Sequence, residues 1–279
     1  ICMVTANWLN LPLFFWIPLA ISISATLIYG KKVLFGVGVS GIVLLILSFL
    51  NINILPINPI KLIALTTSDI IISIVFANYF KHRIPFLDYT DDLKSFIKIS
   101  ILATIAQSAL LYTIFRFTSQ LNNLDTLLGI QLVFTSVLSP LLVVVPFILT
   151  FYTKPDPINF KNNAFSIIVL IAVSSIPSVI DITFILGNLY LLPIQLLAII
   201  AAASYAIIVK FKRTVFFTLT FSILLVLSSL FNRNFFNIFD EPYHLINTQY
   251  FVLIISLIVI TVSAILKERN NALQSLKDS

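Results

Sequence analysis

A single cysteine, Cys2, leaves no partner for an internal disulfide and no second thiolate for a cysteine metal site. Charge is almost as scarce: Asp, Glu, Lys and Arg together make up 10% of the chain against 59% hydrophobic residues, a balance that no water-soluble domain of 279 residues sustains. Only two histidines are present, His82 and His244. The chain also has no Gly-rich phosphate loop, no His-Glu-x-x-His helix and no Gly-x-Ser-x-Gly elbow, so the common hydrolytic, metalloprotease and nucleotide-binding constellations are missing. No connection between apolar stretches is large enough for a soluble domain.

Long apolar runs occupy the space those features would have taken. A helix needs roughly 20 predominantly apolar residues to cross a bilayer, and helices or closed barrels are the two ways of pairing backbone polar groups in hydrocarbon. Continuous runs rather than alternation exclude a barrel. The expected fold is therefore all-α, a polytopic transmembrane bundle of about nine spans, near 11–29, 33–52, 60–79, 96–115, 127–152, 164–186, 189–209, 214–230 and 249–267. Two tight connections, Gly30-Lys31-Lys32 and Lys210-Phe211-Lys212-Arg213, imply helical hairpins. Aligning the hairpins sets Ser48-Phe49-Leu50-Asn51 against Ser229-Leu230-Phe231-Asn232 without a gap. A duplication would explain that match, and so would the sameness of any two apolar hairpins with basic turns.

The residual charge is sorted by side. Lys31, Lys32, Lys81, Arg83, Lys94, Lys98, Lys154, Lys161, Lys210, Lys212, Arg213, Lys267, Arg269 and Lys277 fall in alternate connections, and only Lys61, Arg116 and Arg233 fall in the others. Lys and Arg are retained on the cytoplasmic side during insertion, which predicts an inner (plasma) membrane protein with residue 1 outside and the C-terminus in the cytoplasm. The net charge of +6 belongs to helix ends rather than to one stripe, so a nucleic-acid partner is not expected. The expected environment is the lipid bilayer.

Asp69 is the principal candidate for function. It lies mid-span within Thr66-Thr67-Ser68-Asp69, where a carboxylate costs on the order of 3 kcal/mol. The cost points to a ligand contact, a proton site or a switch, or to a protonated or Ser/Thr-bonded residue that ties helices together. Ser68, Gln107 and Gln131 are the other intramembrane candidates. Outside, the loop from Phe231 to Thr248 offers Arg233, Asp240, Glu241 and His244. Three of these could meet a cation, but hard cations take more oxygens than they provide, and His82 and His244 lie on opposite sides, so neither a metal site nor a cofactor is expected. Pro18, Pro140, Pro146, Pro177 and Pro193 are expected to kink or interrupt their spans.

At the C-terminal end, Val259, Val262, Leu266, Leu273 and Leu276 occupy the a and d positions of a heptad, with Arg269 interrupting. The pattern predicts a helix that leaves the membrane and pairs with its copy in a homodimer, or an amphipathic tail on the headgroups. Residues 1–267 are read as the membrane domain and 268–279 as the start of a cytoplasmic signalling helix.

The order of these features resembles the first class of bacterial membrane-associated sensor (MASE) domains. Trp16-Ile17-Pro18, the turn Gly30-Lys31-Lys32 and the opening Val33 to Gly36 are similar to that family's Trp-Pro helix, basic turn and second Gly-containing helix. Ser139-Pro140-Leu141-Leu142-Val143-Val144-Val145-Pro146 looks like the segment closing its fifth span, Phe211-Lys212-Arg213 like its second basic turn, and Leu266-Lys267-Glu268-Arg269 like its exit to an effector. Ala20, Leu34-Phe35, Val137 and Pro140 depart from the family pattern. The resemblance implies a non-catalytic sensory input domain of a signal-transduction protein, with a histidine kinase or diguanylate cyclase effector in cis, a possible membrane partner protein, and any catalysis beyond Ser279. A start at Ile1 rather than Met is what a fragment or a processed chain would show, with room for a further helix upstream. The competing reading is a small-molecule transporter or permease with Asp69 as its intramembrane site.

Overall fold

The computed structural model describes residues 17–49, 59–80, 90–117, 126–153, 199–200, 202–204, 206–207, 211–230 and 243–278. Among the described residues every ordered element is a helix: α1 (Ile17–Tyr29), α2 (Val33–Phe49), α3 (Pro59–Phe80), α4 (Thr90–Phe117), α5 (Thr126–Thr153), α6 (Phe211–Leu230) and α7 (Tyr243–Asp278). Four of these, α3, α4, α5 and α7, are long and apolar enough to cross a membrane, while α1, α2 and α6 carry shorter apolar stretches. The molecule is a helical membrane bundle. The predicted span 164–186 lies outside the described residues, as do Pro177 and Pro193; of 189–209 the described residues are helical.

The helices fall into two compact units, one of residues 1–86 and 94–149 and one of residues 87–93 and 150–279. In the first, α3 packs against both α1 and α2. The α1–α2 turn is as tight as its sequence predicts. Gly30 adopts φ +78°, and its N–H donates to the Thr26 carbonyl at 2.9 Å, the left-handed cap that ends a helix at glycine. Lys31 and Lys32 are exposed beside it.

Contact between α2 and α3 depends on small residues. A Cβ on Gly41 would lie 2.7 Å from Thr66 Cγ2 and 2.9 Å from Thr66 Oγ1, and one on Gly38 would sit 4.0 Å from Ile70. Close backbone approach of this kind is how membrane helices gain dispersion energy where lipid supplies no hydrophobic drive. Thr66 is β-branched and its hydroxyl donates to the Leu62 carbonyl at 2.9 Å, so it has little freedom to retreat. Gly41→Ala is therefore expected to destabilise the protein by about 1–3 kcal/mol, the usual cost of overpacking. Gly36→Ala, where nothing lies within 4 Å, serves as the control in the same thermal or detergent denaturation. Equal midpoints for the two variants would contradict the close-contact account.

The outer faces of these helices are apolar. Phe35, Ile42, Ile46, Ile63, Ile71, Val75, Leu102 and Ile105 are all exposed, a surface that is stable against lipid and not against water. In α5 the window long enough to span is 78% buried. Pro140 and Pro146 both lie inside α5, which stays helical through them. Each removes the donor that would serve the carbonyl four residues earlier, at Ser136 and Leu142. Pro18 lies in the first described turn of α1.

In the second unit, α6 packs on α7. Phe217 stacks on Phe221 with ring centroids 5.9 Å apart, and Phe221 meets Phe251 of α7 at 6.4 Å. Phe151, in the last turn of α5, contacts Phe216 at 6.2 Å. Phe211, Lys212 and Arg213, which the sequence places in a connection, form the first turn of α6 instead.

The largest departures from the predicted spans are at helix ends. α4 begins at Thr90 rather than near residue 96, so the helix takes in the polar residues ahead of its apolar run. α7 begins at Tyr243 and runs unbroken to Asp278, 36 residues or about 54 Å. Val259 on the heptad seam is fully buried within its own chain, together with Val252 and Ile255 on the same stripe. Val262 and Leu266 are half-buried, and Leu273 and Leu276 are exposed. The upstream part of the seam is thus covered by this chain, and only its downstream part is open.

Candidate functional site

α3 crosses with its polar quartet at mid-length, and the four members part company. Ser68 Oγ donates to the Leu65 carbonyl at 2.8 Å, and Thr66 turns back to Leu62, so the single proton of each hydroxyl is spent on its own helix. Asp69 instead points inward and is 5% exposed. Gln107 Nε2 of α4 donates to Asp69 Oδ1 at 2.8 Å, across 38 residues of sequence, and Gln107 is fully buried. Of the candidate partners, Gln107 is brought to Asp69. Ser68 is half-buried and faces its own backbone. Gln131, on α5, is half-buried, and its main-chain carbonyl accepts from Thr135 Oγ1 at 2.9 Å.

A hydrogen bond to a charged group contributes about 1.5–3 kcal/mol net, the same order as the cost of a carboxylate in a span. The amide of Gln107 therefore offsets much of the penalty on Asp69. It also ties α3 to α4 at one level.

Around that level the described interior is unusually polar. Ser73, one turn from Asp69 on α3, is fully buried and donates to Ser22 Oγ of α1 at 2.9 Å. On α4, Ser100, Thr104, Gln107 and Ser108 are spaced i, i+4, i+7 and i+8, which places them on one face, and all four are buried. Among the described residues, Ser100 Oγ, Thr104 Oγ1, Gln107 Oε1 and Ser108 Oγ have no hydrogen-bond partner. Sequence reasoning passed over the three hydroxyls. Their spacing was the available signal, one oxygen-bearing face in an otherwise apolar span.

An aromatic cluster bounds this region along α3 and α4. Phe76 lies 5.8 Å from Phe80 and 6.5 Å from Phe96, and Phe80 lies 6.4 Å from Phe96, with all three fully buried. Phe96 precedes Ser100 by one helical turn, so the polar face of α4 ends where the rings begin.

The external candidates Arg233, Asp240 and Glu241 lie outside the described residues, and His244 stands in the first turn of α7. Among the described residues no three of His, Cys, Asp and Glu gather in a metal-binding group. The arrangement places one carboxylate, one amide and a row of hydroxyls at one buried level of α3 and α4.

The family model of membrane-associated sensor domain 1 (MASE1) matches residues 5–270, nearly the whole chain. No curated protein and no solved structure matches it.

Proposed function

The chain belongs to the MASE1 family of sensory membrane domains, and from that premise we propose that it is the input half of a bacterial histidine kinase or diguanylate cyclase. In this reading a stimulus changes the helix arrangement at the Asp69–Gln107 level, and α7 carries the change to a cytoplasmic effector in cis. The observation that carries it is α7 itself, one helix whose buried stripe in the bundle continues as exposed Leu273 and Leu276. The exposed stripe pairs with its copy in a homodimer. A heptad side chain that is apolar and uncovered favours a second helix over water. The domain is sensory rather than catalytic.

The orientation proposed is an inner-membrane one, with residue 1 outside and Asp278 in the cytoplasm, on the strength of the basic residues collected in alternate connections. Single cysteines at Asn232 and Asp156, in a background without Cys2, test it with an impermeant thiol reagent. Asn232→Cys is expected to react in intact spheroplasts and Asp156→Cys only after lysis. Equal labelling before lysis would overturn the orientation.

The direct test of function is to join residues 1–279 to the effector encoded with them and measure effector activity in membranes for the native chain and for Asp69→Asn. A change in output with unchanged expression supports the sensory reading. Solute uptake that follows Asp69 with no effect on any effector would favour a transporter instead.

A further inference from the structure

We propose that the α3–α4 interface binds a monovalent cation, held by the Asp69 carboxylate together with Gln107 Oε1, Thr104 Oγ1 and Ser108 Oγ. The inference rests on the reading of the Asp69–Gln107 level as the sensory site and names its ligand.

Hydroxyls in this chain have a regular habit. Ser24, Thr26, Thr66, Ser68, Ser136, Thr218, Ser222 and Ser256 each donate to a carbonyl three or four residues back in their own helix. Among the described residues Ser100, Thr104 and Ser108, and singly Ser263 on α7, do not, although the carbonyls are equally close in any helix. Leaving a buried polar atom unmatched costs about 1–3 kcal/mol, so several on one face of one helix call for a common partner.

The chemistry of that partner follows from the atoms. All the unmatched atoms on α4 are oxygens, and while Gln107 donates through Nε2 to Asp69 its carbonyl oxygen, an acceptor, is left unmatched. Carboxylate, amide carbonyl and hydroxyl oxygens together are a hard-donor set. They suit a positively charged ligand that accepts lone pairs from several directions. Thr104, Gln107 and Ser108 lie within one helical turn or so of one another, which is the range over which oxygens converge on one ion; Ser100 stands a further turn away and serves as a neighbouring contact.

Local charge selects the valence. Asp69 is the one acidic residue at this level of α3 and α4, and the basic residues described on α4, Lys94, Lys98 and Arg116, are all exposed. Lys98 and Arg116 are each nine residues from Gln107, about 13 Å along the axis. One carboxylate neutralises one positive charge, whereas a divalent ion would leave a net charge in a medium where that is costly. Asp69, Thr104, Gln107 and Ser108 are all buried, and low exposure to water strengthens the attraction between a carboxylate and a cation.

The test uses the full-length protein in lipid nanodiscs, with choline chloride replaced stepwise by NaCl or by KCl at constant total salt. A saturable rise in Tm with Na+ or K+, absent in choline chloride, and retained 22Na+ displaced by unlabelled NaCl, are the expected results. Asp69→Asn is expected to abolish both. Thr104→Val and Ser108→Ala each remove one oxygen at nearly constant volume and are expected to weaken binding about tenfold; because they leave Asp69 and Gln107 paired, they test the site even if Asp69→Asn does not fold. Equal stabilisation by choline, no retained 22Na+ or K+ response, or native affinity in both hydroxyl variants would overturn the proposal and leave hydration as the partner of these oxygens. Absent cation binding with an Asp69-dependent effector output would remove the ligand and keep the sensory reading. Cation binding with an output indifferent to Asp69 would do the reverse.

Discussion

Asp69→Asn is expected to fold at near-native stability and to lose normal control of output. Asparagine keeps the volume and keeps an acceptor oxygen for Gln107 Nε2, so the α3–α4 tie survives while the charge does not. Asp69→Leu removes both. It leaves the Gln107 amide buried beside its already unmatched Oε1, at a cost of about 1–3 kcal/mol, and gains back part of that by taking a carboxylate out of the span. A change of about 1.4 kcal/mol in the balance of two bundle arrangements is a tenfold change in their ratio, readable as effector activity in membranes. The two variants therefore separate charge from tethering: altered output in both with loss of stability only in Asp69→Leu assigns the charge to signalling. If expression, stability and output are native in both, Asp69 has no special role.

The second large effect is expected from α7. One residue inserted after Arg269 rotates everything downstream by about 100° at 3.6 residues per turn, while seven inserted residues nearly restore the stripe. Output should be lost or locked by the first insertion and largely kept by the second. The site of insertion matters, since Arg269 and all residues described beyond it are exposed, so neither change disturbs the packing of α6 on α7. Effector activity that is the same for both insertions would separate output from the phase of this helix.

Much of the architecture is legible in the residues because lipid imposes one rule on every span. Length and hydropathy placed α1 to α5, and Gly30 marked a turn that the left-handed backbone requires. What failed did so for identifiable reasons. The start of α4 at Thr90 was missed because Asp91 and Asp92 are polar, and polarity reports the end of the membrane rather than the end of a helix. Val259 was read as a seam for a second chain, yet periodicity reveals that a face is covered and not what covers it; here its own bundle does. At the site, Asp69 and Gln107 were visible as costly residues in apolar surroundings. Ser100, Thr104 and Ser108 share a face by their spacing, but a hydroxyl in a span is ordinarily satisfied by its own helix, and only the three-dimensional arrangement shows that these are not.

The division of the α7 stripe has a consequence for how such a domain is joined to others. Val252, Ile255 and Val259 fix the angular setting of the helix inside the bundle, whereas Leu273 and Leu276 merely continue that setting outward. Seating in the bundle and presentation to whatever lies beyond it are then written in different residues of one rod. Under the proposed function, a gene fusion that conserves the angular phase across residues 266–276 would exchange one cytoplasmic module for another without revising the membrane half, and a fusion made half a turn out of phase would deliver an inverted or silent response from the same intact sensor.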